Sequence, residues 1–208
     1  MSPYPAGQHG ATGSEMDDFE QQLRAAQAGD ENAFVALFRA VQPALLRYLS
    51  TLGGPLAEDA AAETWVSVVR GLPTFSGDEA GWRAWVLTIG HARLRDAQRK
   101  AYRDPVPVDA HAELAATPAE GDVAEAVGEL MTTEAALRVV ARLPRDQAEA
   151  VLLRHVAGLD ATAAARVLGK KPGAVRVAAH RGLRRLATML SGAAELEGCN
   201  DFRTRIDD

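Results

Sequence analysis

The chain of 208 residues has one cysteine, Cys199, which excludes an internal disulfide and any multi-cysteine zinc site. A lone cysteine fits a reducing compartment. Aromatic residues are only 5% of the chain, while hydrophobic residues reach 47%, much of it alanine. Sheets lean on β-branched and aromatic side chains, whereas alanine suits closely packed helices, so an all-α protein is expected. No apolar run approaches the ~20 residues of a membrane span. The N-terminus lacks the positive start and apolar core of a signal peptide. These absences favour a cytoplasmic protein. The net charge of −5 argues superficially against a polyanionic partner. Two local absences reverse that reading. No acid occurs between Asp160 and Glu195, and no Lys or Arg occurs over 104–137. Segregated charge says more about partners than the sum does.

The acid-free stretch has the pattern of two helices joined by a short turn. Asp160 or Thr162 can cap the first helix. Ala163, Val167 and Leu168 give it an apolar stripe, and Gly169 ends it as a left-handed C-cap. Pro172 stands near the start of the second helix, where a missing N–H costs nothing. Val175, Ala179, Leu183, Leu186 and Leu190 recur at spacings of four, four, three and four, one expected buried face. Arg176, His180, Arg181 and Arg184 occupy the other side, flanked by Lys170, Lys171 and Arg185. A short helix, a glycine turn and a basic second helix are the parts of a DNA-binding helix-turn-helix. The plainer alternative is a helical hairpin with solvated arginines, but a solubility face normally mixes signs.

Along the chain, residues 1–16 are rich in Gly, Pro, Ser and Ala without periodicity, the composition of a disordered tail. A first helix is expected from Asp17 or Asp18 to Ala28. A second, capped by Asp30, has Phe34, Leu37, Phe38, Val41, Leu45, Leu46 and Leu49 at helical spacing, with Pro43 expected to kink or break it. A third, opened by Pro55, turns Leu56, Ala60, Ala61, Trp65, Val68, Val69 and Leu72 inward. Asp59, Glu63, Ser67 and Arg70 lie on a separate stripe. A fourth, near 79–102, carries Trp82, Trp85, Val86, Ile89 and Leu94 on its buried or partly buried face. It also bears Arg83, Arg93, Arg95, Arg99, Lys100 and Arg103 against the lone acid Asp96, a mixture that suits single-stranded nucleic acid. Both tryptophans could instead be core, the preferred reading for Trp85. Residues 104–132, with prolines and acids, form an expected acidic flexible linker. Helices near 133–142 and 144–157 complete a second helical unit. Two domains are therefore expected, 17–103 and 133–190, followed by a polar tail at 191–208.

This combination resembles a bacterial sigma factor of the extracytoplasmic-function (ECF) group of the sigma-70 family, over roughly residues 18–190. E-D-A-A-A-E-T-W-V-S-V-V-R-G-L at 58–72 resembles the part of sigma region 2 that docks on the clamp of RNA polymerase. The resemblance makes Asp59, Glu63, Trp65 and Arg70 polymerase-contact candidates. W-R-A-W-V-L-T-I-G-H-A-R-L-R-D-A-Q-R-K at 82–100 resembles the helix that melts and reads the −10 element. It implies DNA contact by Trp82, Arg83, His91, Arg93, Arg95, Arg99 and Lys100. L-P-R-D-Q-A-E-A-V-L-L-R-H-V-A-G-L at 143–159 resembles the start of region 4, which reads the −35 element. There the candidates are Lys170, Lys171, Arg176, Val177, His180, Arg181 and Arg184. The family often has Asn at the position of Ala92, and its common Thr, Ser and Arg are replaced by Ala174, Val177 and Ala178. Promoter readout then falls mainly to Arg176, His180 and Arg181, with Lys171 and Arg184 nearer phosphates. The implied partners are core RNA polymerase, through its beta-prime clamp and beta flap, promoter DNA, and an anti-sigma factor that could hold the protein at a membrane.

One rival is a polymerase-independent helix-turn-helix regulator, which would bind a duplex tightly by itself, usually as a dimer on a palindrome. The other is an enzyme using His91 with Asp96 or His155 with Asp160. Neither pair has i,i+3 or i,i+4 spacing, and no nucleophile motif or second metal ligand accompanies them. No catalysis, cofactor, metal or small-molecule substrate is expected.

Overall fold

The computed structural model describes residues 11–103 and 133–203, with side-chain surroundings for 18–103 and 133–191. The expected linker, 104–132, lies outside the described residues, as do 1–10 and 204–208. Helices α1 (Ala11–Gln27), α2 (Glu31–Gly53), α3 (Ala57–Gly71) and α4 (Glu79–Arg103) build the first unit. Helices α5 (Thr133–Val140), α6 (Arg145–Val151), α7 (Ala161–Leu168) and α8 (Pro172–Arg203) build the second. No strand occurs among the described residues, so the fold is all-α. Helix α1 starts earlier than its periodicity indicated, and α8 runs further.

Asp30 stands in extended backbone at the start of α2, where its carboxylate accepts from the N–H groups of Asn32 and Ala33. Leu37, Val41, Leu45, Tyr48 and Leu49 then bury one face. Pro43 does not break α2, which continues through it to Gly53. Pro43 and Arg39 are both exposed, so water can replace the N–H that the Arg39 carbonyl loses. Helix α2 packs on α1, α3 and α4, and α3 packs along α4. Gly90 allows the close approach of α4 to α2: a Cβ there would stand 2.6 Å from Leu45 Cδ1.

In the second unit, α6 runs into a π-helical turn, Leu152–Val156, and packs against α8. Gly182 lets the two meet, since a Cβ on it would lie 2.7 Å from Val151 Cγ2. The two units touch. Helix α4 packs along α7, and α2 meets α5, α6 and the π-helical turn. Buried side chains of both units join in one apolar cluster.

Candidate nucleic-acid interface

Asp160 takes extended backbone before α7 and accepts from Ala163 N–H at 2.7 Å, so it, rather than Thr162, is the cap. That hydrogen bond holds its carboxyl below the usual carboxylate range. Gly169 ends α7 with φ 62, the left-handed conformation, and Lys170 N–H reaches back to Ala165 O at 2.9 Å. Helix α8 starts at Pro172. Val175 and Ala179 are buried, which turns Arg176, Val177, His180, Arg181 and Arg184 to solvent together, with Lys171 exposed just before them. Lys170 differs: its Nζ lies 3.6 Å from Glu149 Oε2 on α6, away from the set. Leu183 and Leu190 are exposed rather than buried. A helix of 32 residues outruns the short α6 and α7 that cover its first turns.

The fourth helix corrects two expectations. Trp82 is fully buried, with Phe75 at 5.3 Å and Trp85 at 5.5 Å between ring centroids. It therefore packs the core and offers no face to a base. His91 is also buried, its Nδ1 sharing a hydrogen bond of 2.7 Å with the Tyr48 hydroxyl. Burial lowers the pKa of His91 and raises that of Tyr48, so the pair is neutral and apolar in effect. Both sit on the side of α4 that meets other helices, a fact invisible in composition. Arg93 donates to Ser67 Oγ at 3.0 Å and so braces α4 against α3. Arg83 pairs with Glu79 at 2.7 Å, and Arg99 pairs with Asp96. Arg95, Arg99 and Lys100 are exposed. Tyr102, which the basic pattern passed over, is 90% exposed beside them. The aromatic-among-arginines spacing would have found it. Arg95, Arg99 and Arg103 face Arg145, Glu149 and Lys170 across a cleft of about 630 Å³ between the units.

On α3, Asp59, Glu63 and Arg70 are exposed along one side. Val69, expected inward, is 52% exposed, and Val66 is 51% exposed next to it. The helix advances ~100° per residue, so burying Val68 carries Val69 round to the outside. The acids therefore border an apolar strip that periodicity missed. Trp65 is half-buried between Phe34 and Phe38, at 6.2 and 4.5 Å, and its indole N–H donates to Gln42 Oε1 at 2.5 Å. It ties α3 to α2. Among the described residues there is no cluster of three or more metal-ligating side chains, and no helix long and apolar enough to cross a membrane.

Residues 37–104 match the family model for sigma-70 region 2, and residues 133–186 match that for sigma-70 region 4. The chain is 35% identical over 174 residues to the ECF RNA polymerase sigma factor ShbA of Streptomyces griseus, covering 77% of this chain and 89% of ShbA. It is 34% identical over 167 residues to the ECF RNA polymerase sigma factor BldN of Streptomyces coelicolor, covering 79% of this chain and 63% of BldN. The fold matches CnrH, solved in complex with the cytosolic domain of CnrY, with a TM-score of 0.54 at 19% identity over 83% of this chain and 96% of that one. Two region matches in the order first unit, second unit, and relatives of the same kind matched over both units, agree with the helix-turn-helix and the basic α4. The chain belongs to the ECF group of the sigma-70 family, the RNA polymerase sigma factors.

Proposed function

We propose that the chain acts in the cytoplasm through three separate surfaces that together bring core RNA polymerase to a promoter. The exposed side of α3, with Asp59, Glu63 and Arg70 around Val66 and Val69, docks on the polymerase clamp. An apolar strip rimmed by charge has the make-up of a protein interface. The solvent-facing base of α4, carried by Arg95, Arg99 and Lys100, holds the −10 strands through phosphates. Arg176, His180 and Arg181 on α8 reach base edges of the −35 element, where an arginine bidentate to guanine discriminates by ~1–3 kcal/mol. Lys171 and Arg184 lie nearer phosphates. The second unit also meets the beta flap. Trp82, His91 and Arg93 support α4 from within, and Trp65 supports α3.

The observation that carries this reading is α8: no acid precedes Glu195 on it, Val175 and Ala179 are buried, and four basic side chains turn out together. A second protein that covers these surfaces, an anti-sigma factor, fits the same reading. CnrH, alike in fold, is bound to the cytosolic domain of CnrY. The test is run-off transcription with core polymerase, with and without this protein, on DNA upstream of its own gene and on a panel of candidate promoters. A discrete product that requires the protein is expected. If no promoter yields one, the reading fails.

A further inference from the structure

Val177 of α8 is 50% exposed and takes no part in the apolar cluster that the two units share. A single apolar side chain at a surface is ordinary, but the position of this one is not. A helix turns ~100° per residue, so Val177 lies about 160–200° round from the buried Val175 and Ala179. It therefore stands on the crest of the face turned away from the protein. Arg176 and His180 flank it on one side, Arg181 flanks it on the other, and all three are exposed. The turn before it is bare. Gly173 and Ala174 are exposed, and a Cβ on Gly173 would meet no packing neighbour within 4 Å among the described residues. Glycine weakens a helix, and the packing around Gly173 does not call for one. Its missing side chain instead lets the start of α8 sink close to whatever the face meets.

We infer that Val177 reads a thymine of the −35 element by packing on its C5-methyl group, a role that rests on the proposed placement of α8 in the major groove there. The valine side chain neither donates nor accepts a hydrogen bond, so the ring nitrogens, carbonyl oxygens and amines of the base edges offer it nothing. The thymine methyl is the apolar group that the major groove displays. A β-branched side chain in a helix keeps one strongly preferred rotamer, so little side-chain freedom is lost when it meets the methyl. A protein partner suits the site poorly. Docking patches need contiguous apolar area, and the residues around Val177 are small or basic. The arginines beside it can fork onto guanine O6 and N7. Hydrogen bonds then fix the guanines, while Val177 separates thymine from cytosine, which lacks the methyl. This turn carries Ala174, Val177 and Ala178 in place of the family's common Thr, Ser and Arg, so the methyl contact belongs to this chain.

Deoxyuridine in place of thymine deletes the methyl and leaves base pairing intact. Core polymerase loaded with the full-length chain is titrated onto a promoter found by the run-off screen, with each −35 thymine on either strand replaced in turn. The wild type should bind about three- to fivefold more weakly at one position, the loss expected for one buried methyl. Val177→Ala should bind the thymine promoter about three- to fivefold more weakly and lose nothing further at that position. Val177→Ile should keep the methyl dependence. Helix content by circular dichroism and affinity for core polymerase should be unchanged in both variants. A wild-type holoenzyme that tolerates deoxyuridine throughout the −35 element, or a Val177→Ala chain that keeps the full penalty, overturns thymine reading. So does an equal loss on every sequence, which would set Val177 against polymerase or phosphates. Arg176→Ala and Arg181→Ala on the same promoters test the underlying placement separately. If neither alters base preference, α8 is not the −35 reader. If either does while deoxyuridine has no effect, only the role of Val177 fails.

Discussion

Arginine and lysine carry different parts of the promoter contact. Arg181 is exposed, shares its face with Arg176 and His180, and has a planar fork that matches guanine. Arg181→Ala should weaken binding to the cognate −35 element by ~1–3 kcal/mol and relax preference at one base pair. Lys171→Ala should weaken all sequences alike and lower the salt slope by about one. Holoenzyme binding to a set of single-base promoter variants at several salt concentrations separates the two. Equal losses on every sequence for both variants would remove Arg181 from base readout.

Helix α3 divides its labour by face. One side holds Trp65 between Phe34, Phe38 and the Gln42 amide oxygen. The other exposes Asp59 and Glu63 beside Val66 and Val69. Asp59→Ala combined with Glu63→Ala should therefore reduce affinity for core polymerase about tenfold or more without lowering the melting temperature. Trp65→Ala should cost ~3–5 kcal/mol of stability, as loss of a large packed aromatic does. Pull-down titration of core polymerase and thermal unfolding of each variant check the pair. Unchanged affinity in the double variant would reduce the stripe to a solvated face. The α8 helix shows the same division in its first half, where Val175, Ala179 and Gly182 anchor one side and Arg176, His180, Arg181 and Arg184 are exposed on the other.

Joining the two units places His91 among charges from several elements. Tyr48 of α2, Arg95 of its own helix, and Arg145, Glu149 and Lys170 of the second unit all bear on it. Burial lowers its pKa in the folded chain from the ordinary value of 6.5. The unfolded chain then binds the proton more readily, so stability is full above pH ~6.5 and declines as pH falls toward the depressed value. Thermal unfolding from pH 8 to pH 5 should show this decline, and His91→Asn should flatten it. A wild-type curve as flat as the variant's would deny burial of the imidazole.

Local chemistry made the helices legible before any folding was known. Asp30, Asp160, Gly169 and Pro172 act through hydrogen bonds and backbone angles a few residues away, so their types alone mark the helix ends. The acid-free stretch likewise exposed a basic recognition helix, because apolar periodicity defines its buried side and leaves the rest outside. What lay beyond reach was which polar or aromatic residue meets a neighbour distant in sequence. His91 sits on a basic helix and looks available, and Trp82 reads from the sequence either as core or as a ring for a base, yet Tyr48 and Phe75 enclose them. Lys170 belongs by pattern with Lys171, yet Glu149 turns it toward the cleft. The packing of α4 on α7 follows the same rule. Two apolar faces can each be read from periodicity, but their mutual partnership depends on complementary shape, which exists only once both units are folded.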